Sequence, residues 1–270
     1  MVGISASDLE AMGQAGKRLD SLHAVEASAG NISICTKQNL NLAASFSNRE
    51  DGVPLPVKAE ALSGYIVFVT GSGCRLRDVL DVPFETVSAF KIDESGENAA
   101  WYYNSVKRFS KPTSEFNSHL AVHNDQVARR GVEYQALIHA QPPHLVFLSH
   151  IDELRNNAYF NRAITRWEPE TIVQLPGGIE VLDYMVPGSQ ELMENNVRGL
   201  QKRVMTLWSR HGIMVRSDKS PLDAVDKIEY VETGATYEIL NRCMGGVSTG
   251  MSKNEISAVI DAFGVETDLY

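Results

Sequence analysis

The stretch YQALIHAQPPH, residues 134–144, decides how this chain is read. Tyr134–His139 has the apolar character of a buried strand, and Pro142-Pro143 must end it, because proline brings no N–H to a ladder. Side chains alternate along a strand, so His139 and Gln141 point to the same side at its end. A His-x-ligand pair in that place is half of a metal site, to be completed by a histidine from elsewhere. His211, followed by Gly212 directly after the strand-like run VMTLW at 204–208, is the candidate third ligand. A hydrogen-bonded structural role for any one of these histidines stays open at this stage.

Outward from that strand, helices and strands interleave. Leu9, Met12, Leu19 and Leu22 give residues 7–23 an amphipathic helical pattern after a Ser-Asp start. Strand-like runs follow at 31–35, 65–70 and 86–92, rich in β-branched and aromatic residues. After Pro112, with Thr113 or Ser114 as cap, Phe116, Leu120 and Val127 mark a second helix. Residues 144–150 read as a short helix, and 171–175 and 179–182 as strands joined by the Pro-Gly-Gly turn at 176–178. The spacing then predicts a helix over 189–203, strands over 204–208 and 213–215, and a long helix over 221–242. Ser252 and Glu255 have the spacing of a capping box for the last helix. No linker or repeat interrupts the alternation, so a single α/β domain is expected over residues 1–270.

At 43% hydrophobic and 22% charged residues, the 270-residue chain has material for one substantial core. Three scattered cysteines, Cys35, Cys74 and Cys243, form no disulfide or zinc framework, which fits a reducing, cytoplasmic setting. The first thirty residues lack the basic start and apolar run of a secretory leader, and no apolar stretch is long enough to span a membrane. With 25 basic against 34 acidic residues the net charge is −9, and no basic stripe exists to displace nucleic-acid counterions. A small anion must therefore be held locally by backbone N–H groups, hydroxyls and amides.

Familiar nucleotide and hydrolase signatures are absent. Gly71-Ser72-Gly73 follows a strand, but Leu76 stands where a dinucleotide fingerprint needs its third glycine, and neither GxxxxGK[ST], GxSxG nor HExxH occurs. What remains are polar clusters: Ser28-Ala29-Gly30-Asn31, Thr70-Gly71-Ser72-Gly73 and Pro112-Thr113-Ser114-Glu115. Each combines glycine or a helix start with neutral donors suited to phosphate, and each also reads as an ordinary turn or cap. Glu115, His119 and His123 recur every four residues on one helical face, either as a second possible set of metal ligands or as groups bonded to neighbouring elements.

In order and spacing, GNIS at 30–33, VTGSG at 69–73, PTSE at 112–115, IHAQPPH at 138–144, YMVPG at 184–188 and RHG at 210–212 resemble the class II aldolase/adducin family over about residues 5–265. The resemblance implies three-layer α/β/α subunits with a central, mainly antiparallel sheet, assembled as a homotetramer. It implies cleavage of a ketose 1-phosphate to dihydroxyacetone phosphate and an aldehyde. A divalent metal, usually zinc, is implied at the positions of His139, Gln141 and His211. Gln141 replaces the second strand histidine of the family, with His144 three residues on. An amide oxygen is a weaker donor than imidazole, so the preference should shift toward an oxygen-loving ion such as manganese. Glu115 matches the glutamate that ligates the metal in the empty site and serves as acid/base. Ser28, Gly30, Asn31, Ser72, Gly73, Thr113 and Ser114 match positions that hold the phosphate and dihydroxyacetone part, and Glu170 a carboxylate contributed across the subunit interface. The same scaffold also accommodates a sugar-phosphate epimerase or another lyase, and a non-catalytic, adducin-like assembly module that has lost its metal ligands.

Overall fold

Strands β1 (Asn31–Thr36) and β6 (Tyr134–Ala140) run antiparallel at the centre of the sheet, with Asn31 opposite His139 and Ser33 opposite Leu137. The computed structural model describes residues 6–270, so the first five residues of the expected domain lie outside the described ones. Helix α1 (Ala6–Ser21) precedes β1, and β2 (Asn48–Pro54), β3 (Ile66–Thr70), α2 (Pro83–Thr86), β4 (Val87–Ile92) and β5 (Asn98–Tyr103) follow it. Helix α3 (Phe116–Arg130) leads into β6, and α4 (Pro143–Leu148), α5 (Asn157–Thr165) and α6 (Pro169–Gln174) follow. The chain ends with β7 (Glu180–Leu182), α7 (Gln190–Lys202), β8 (Met205–Trp208), β9 (Gly212–Ser217), α8 (Pro221–Cys243) and α9 (Lys253–Phe263). The nine strands form one sheet in the order β2-β5-β4-β3-β1-β6-β9-β8-β7. Every pair is antiparallel except β7 with β8.

Alternation along the strands sorts the core into two faces. Ile32, Ile34, Ile66, Phe68, Ala136 and Ile138 face one way, into a cluster with Met12 and Leu19 of α1, Leu145 of α4, Phe160 of α5 and Val225 and Ile228 of α8. Cys35, Val67, Val69 and Leu137 face the other way, against Phe116, Leu120 and Val122 of α3 and Leu192 and Leu200 of α7. Burying both faces of a sheet under helices gives the α/β/α layering that the resemblance implies. The same parity puts Asn31, Ser33, Gln135 and His139 on the α3 side.

Two expectations need correction. Residues 171–175 are not a strand: Pro169 and Glu170 open α6, with Thr171 and Ile172 buried. A proline preset for a first helical turn, and packing of α6 against α8 and α9, override the β-prone composition. The cap of α3 is Glu115 rather than Thr113 or Ser114, and its side chain makes no capping bond. Instead, the backbone N–H of Glu115 donates to Thr113 Oγ1 at 3.4 Å, which leaves the carboxyl free to turn inward. Strands β2 and β5, which the sequence reading passes over, form the far side of the sheet. There β2 pairs on one side only and is mostly exposed, so it lacks strong apolar alternation.

Candidate metal centre

The end of β6 delivers His139 almost fully buried, and its ring is held on three sides. Its Nδ1–H donates to the Ile213 carbonyl at 2.8 Å, which leaves Nε2 as a lone-pair donor. Trp208 stacks on the ring at 4.6 Å between centroids and 19° between planes. The indole N–H of Trp208 is itself tied to Asn196 Oδ1 at 2.9 Å. Gly212 explains the close packing: a Cβ there would lie 2.5 Å from the Ala140 carbonyl and 2.8 Å from His139 Cε1.

His211 follows a turn in which Arg210 adopts the left-handed conformation, φ 65°, with its N–H donating to Ser149 Oγ at 2.7 Å. That turn aims the His211 ring at His139, 4.9 Å away between centroids. From the opposite side, Glu115 brings Oε2 to 3.4 Å from His139 Nε2 and Oε1 to 3.5 Å from His211 Nε2. Donor atoms of these three residues all lie within 4.8 Å of one another. Two ligands each about 2.1 Å from a tetrahedral ion sit about 3.4 Å apart, so the spacing fits a single divalent cation. Burial first, and then the neighbouring His139, push the His211 imidazole down to about 4, which keeps its ring a neutral donor above that pH.

Gln141 shares the site. Its Nε2 is 2.7 Å from His139 Nε2, and its Oε1 is buried without a partner. An amide rotated end for end would place that unsatisfied oxygen beside the two imidazoles, where a cation would satisfy it. His144 is turned elsewhere: its Nδ1 bonds Glu232 Oε1 at 2.7 Å and Thr236 Oγ1 at 3.2 Å. It therefore does not stand in for the missing histidine. His119 and His123 do not join the cluster either, since both are fully buried and bonded to side chains of the sheet.

Around the cluster lies a cavity of about 390 Å³ lined by the three polar loops. Ser28, Gly30 and Asn31 border it from one strand end, Ser72 and Gly73 from another, and Thr113 and Ser114 from the start of α3. A bridge between Gly71 and Pro112 binds the second and third loops together. Gly30, at φ 84°, is in the region that a side chain strains to adopt, and it turns the chain into β1 beside the cavity. No lysine or arginine is among the lining residues, so an anion would meet only neutral donors. Asn31 lines the cavity, with its Nδ2 donating to Glu115 Oε2 at 3.1 Å and its Oδ1 facing His119 Nε2. Glu170 is exposed in the first turn of α6 and does not line the cavity. Pro187 in the lining and Trp208 against the His139 ring have no signal in the sequence, since only the folded chain brings them to His139.

Comparisons with known proteins identify the family. A rhamnulose-1-phosphate aldolase of Bacteroides thetaiotaomicron is 29% identical over 214 residues, covering 79% of this chain and 76% of that protein. Its counterpart in Enterococcus faecalis is 27% identical over 267 residues, 97% of this chain and 93% of that protein. Among solved structures, a sugar-phosphate aldolase from Thermotoga maritima shares the fold with a TM-score of 0.72 at 21% identity, over 90% of this chain and 97% of the other. The family profile described as Class II Aldolase and Adducin N-terminal domain matches residues 10–239, and the chain belongs to that family.

Proposed function

We propose that this chain is a divalent-metal aldolase that cleaves a ketose 1-phosphate of the rhamnulose-1-phosphate type into dihydroxyacetone phosphate and an aldehyde. The observation that carries the reading is the convergence of Glu115, His139 and His211 within 4.8 Å at the wall of a cavity rich in uncharged donors. Relatives named rhamnulose-1-phosphate aldolase support the substrate class. His139, His211 and Glu115 hold the ion, with Gln141 as the amide donor beside them, and zinc is the ion assigned. When bound, the cation supplies Lewis-acid stabilisation of the negative charge that develops as the C3–C4 bond breaks.

The chain's own groups do the rest. Hydroxyls of Ser28, Ser72, Thr113 and Ser114, the Asn31 amide and the backbone at Gly30 and Gly73 hold the phosphate and dihydroxyacetone part of the substrate. Glu115, facing the reacting end, delivers a proton to C3, which becomes the dihydroxyacetone hydroxymethyl carbon, while the C4 hydroxyl proton passes to a carboxylate on the aldehyde side as the C4 carbonyl forms. Glu170 serves the aldehyde half in the cavity of a neighbouring copy, a role its exposed position leaves open, and the active assembly is a cytoplasmic homotetramer. Among the described residues no helix is long and apolar enough to cross a membrane. Retention of three converging donors weighs against the assembly-module alternative.

Metal analysis of the purified chain, followed by cleavage assays on L-rhamnulose 1-phosphate and L-fuculose 1-phosphate, tests the reading. Glu115→Gln is expected to lower turnover about a hundredfold or more. Wild-type turnover in that variant removes the proton-transfer role. A metal-loaded chain that interconverts sugar phosphates without cleaving them would be an epimerase. Mixing Glu115→Gln with Glu170→Gln chains should restore part of the activity if Glu170 acts across an interface.

A further inference from the structure

From Glu115 a row of hydrogen bonds runs inward beneath α3. Asn31 Nδ2 donates to Glu115, and His119 Nε2 meets Asn31 Oδ1. His119 Nδ1 lies 2.6 Å from Ser33 Oγ, and Ser33 Oγ lies 2.8 Å from His123 Nε2. His123 Nδ1 lies 3.0 Å from Gln135 Oε1, and Gln135 Nε2 reaches Asp218 Oδ1 at 3.4 Å. Ser33, His119 and His123 have no exposed surface. At the far end Arg130 grips both oxygens of Asp218, at 2.6 and 2.8 Å.

Such a row has a direction. Neither imidazole has exposed surface, and all their side-chain partners are hydroxyls or amides with no carboxylate among them, so both rings are neutral. A neutral imidazole carries one N–H, Ser33 has one O–H, and each amide offers a hydrogen on one side and an oxygen on the other. With a carboxylate at each end, Asn31, His119, Ser33, His123 and Gln135 bring five hydrogens to six contacts. The two ends therefore demand opposite directions, and one contact must be mismatched. Set from Glu115, His119 carries its hydrogen on Nε2 and Ser33 donates to His119 Nδ1. The mismatch then falls on Gln135: with its Nε2 on Asp218 its Oε1 faces the lone pair of His123 Nδ1, and with the amide rotated the contact with Asp218, the longest in the row, has no hydrogen. Set from Asp218, the Asn31 oxygen would face the Glu115 oxygen.

We infer that Ser33 and His119 are positioning residues, which fix the Asn31 amide with its N–H side toward Glu115, while His123 and Gln135 absorb the mismatch away from the cavity. This rests on the reading of Glu115 as metal ligand and proton carrier. A purely structural row would make Ser33 and His123 equivalent, because both are buried and each contributes to the same chain of bonds. The positioning role makes them unequal, since Ser33 can still donate to His119 when His123 is gone.

Long-range ¹H–¹⁵N spectra of the full chain assign the histidine tautomers, chelator competition gives zinc affinity, and steady-state assays on L-rhamnulose 1-phosphate give kcat and KM. In the wild type, His119 is expected to carry its hydrogen on Nε2. Ser33→Ala should weaken zinc binding and lower kcat by about tenfold or more, with KM within about twofold, and Ser33→Thr should recover both. His123→Phe, at similar cost in stability, should keep zinc affinity within about threefold. A wild-type His119 protonated on Nδ1 overturns the inference, and so does Ser33→Ala with unaltered zinc affinity. Equal losses in Ser33→Ala and His123→Phe overturn it as well. The tautomer and zinc measurements do not use turnover, so failure of the aldolase reading shows separately, as a metal-loaded wild type that cleaves neither sugar phosphate. If Ser33→Ala does not fold, the wild-type tautomer alone decides.

Discussion

Glu115 and His119–His123 lie on one stripe of α3 and its N-cap, four residues apart, yet they meet opposite fates. Glu115 opens on a cavity where Nε2 of His139 and Nε2 of His211 stand 3.4 and 3.5 Å from its two oxygens. One and two turns further in, His119 and His123 find hydroxyl and amide partners on β1 and β6 and have no exposed surface. The contrast teaches that residue type and spacing nominate ligands, whereas supply of partners decides among them. A histidine whose two nitrogens are both bonded to protein has no lone pair left to offer a cation.

The widest separation between the two regions should come from deleting one imidazole in each. His211→Ala is expected to reduce zinc affinity more than about a hundredfold, measured by chelator competition, because it removes a ligand directly. Unchanged affinity would place the cation elsewhere. His123→Phe should instead lower unfolding free energy by about 1–3 kcal/mol in urea titrations, because Gln135 Oε1 and one side of Ser33 Oγ lose their buried partner.

Acid sharpens the same comparison. His123 has a folded value of about 3, below the ordinary unfolded range near 6.5, so the unfolded chain takes up the proton first as pH falls. Its contribution is fully present above about 6.5 and is lost on the way down to about 3, amounting to about 2 kcal/mol by pH 5. Wild type should therefore lose about that much more stability than His123→Phe between pH 7.5 and 5, and equal losses would mean that His123 is already charged in the fold. At the metal end, Gln141→His should tighten zinc binding about tenfold, as imidazole replaces an amide oxygen. The smallest change is expected at the far end of the row, where Asp218→Asn breaks a partly exposed pair with Arg130 and should cost about 1 kcal/mol or less in the same urea titrations.

Much of the layout was legible because it is local. The Pro142-Pro143 stop, the alternation that puts His139 and Gln141 on one side, and the Ser252–Glu255 capping box each depend on neighbours within a few residues, and the structure contains all three. The helix at 169–174 was misread because Thr171, Ile172 and Val173 look like a strand, while packing against α8 and α9 determines their state. Glu170 moved with it, into the exposed first turn of α6. His144 lies three residues from Gln141 in sequence, yet Glu232, 88 residues away, claims it.

The sequence by itself determined the periodicities, the breaks and the inventory of donors, since these follow from backbone geometry and residue chemistry at short range. Only the tertiary structure decided that Asn31 belongs to Glu115 and His119, across 84 and 88 positions of chain. Strand register and the approach of α3 set those meetings, and they arise from the burial of two apolar faces at once, a condition that no single segment carries.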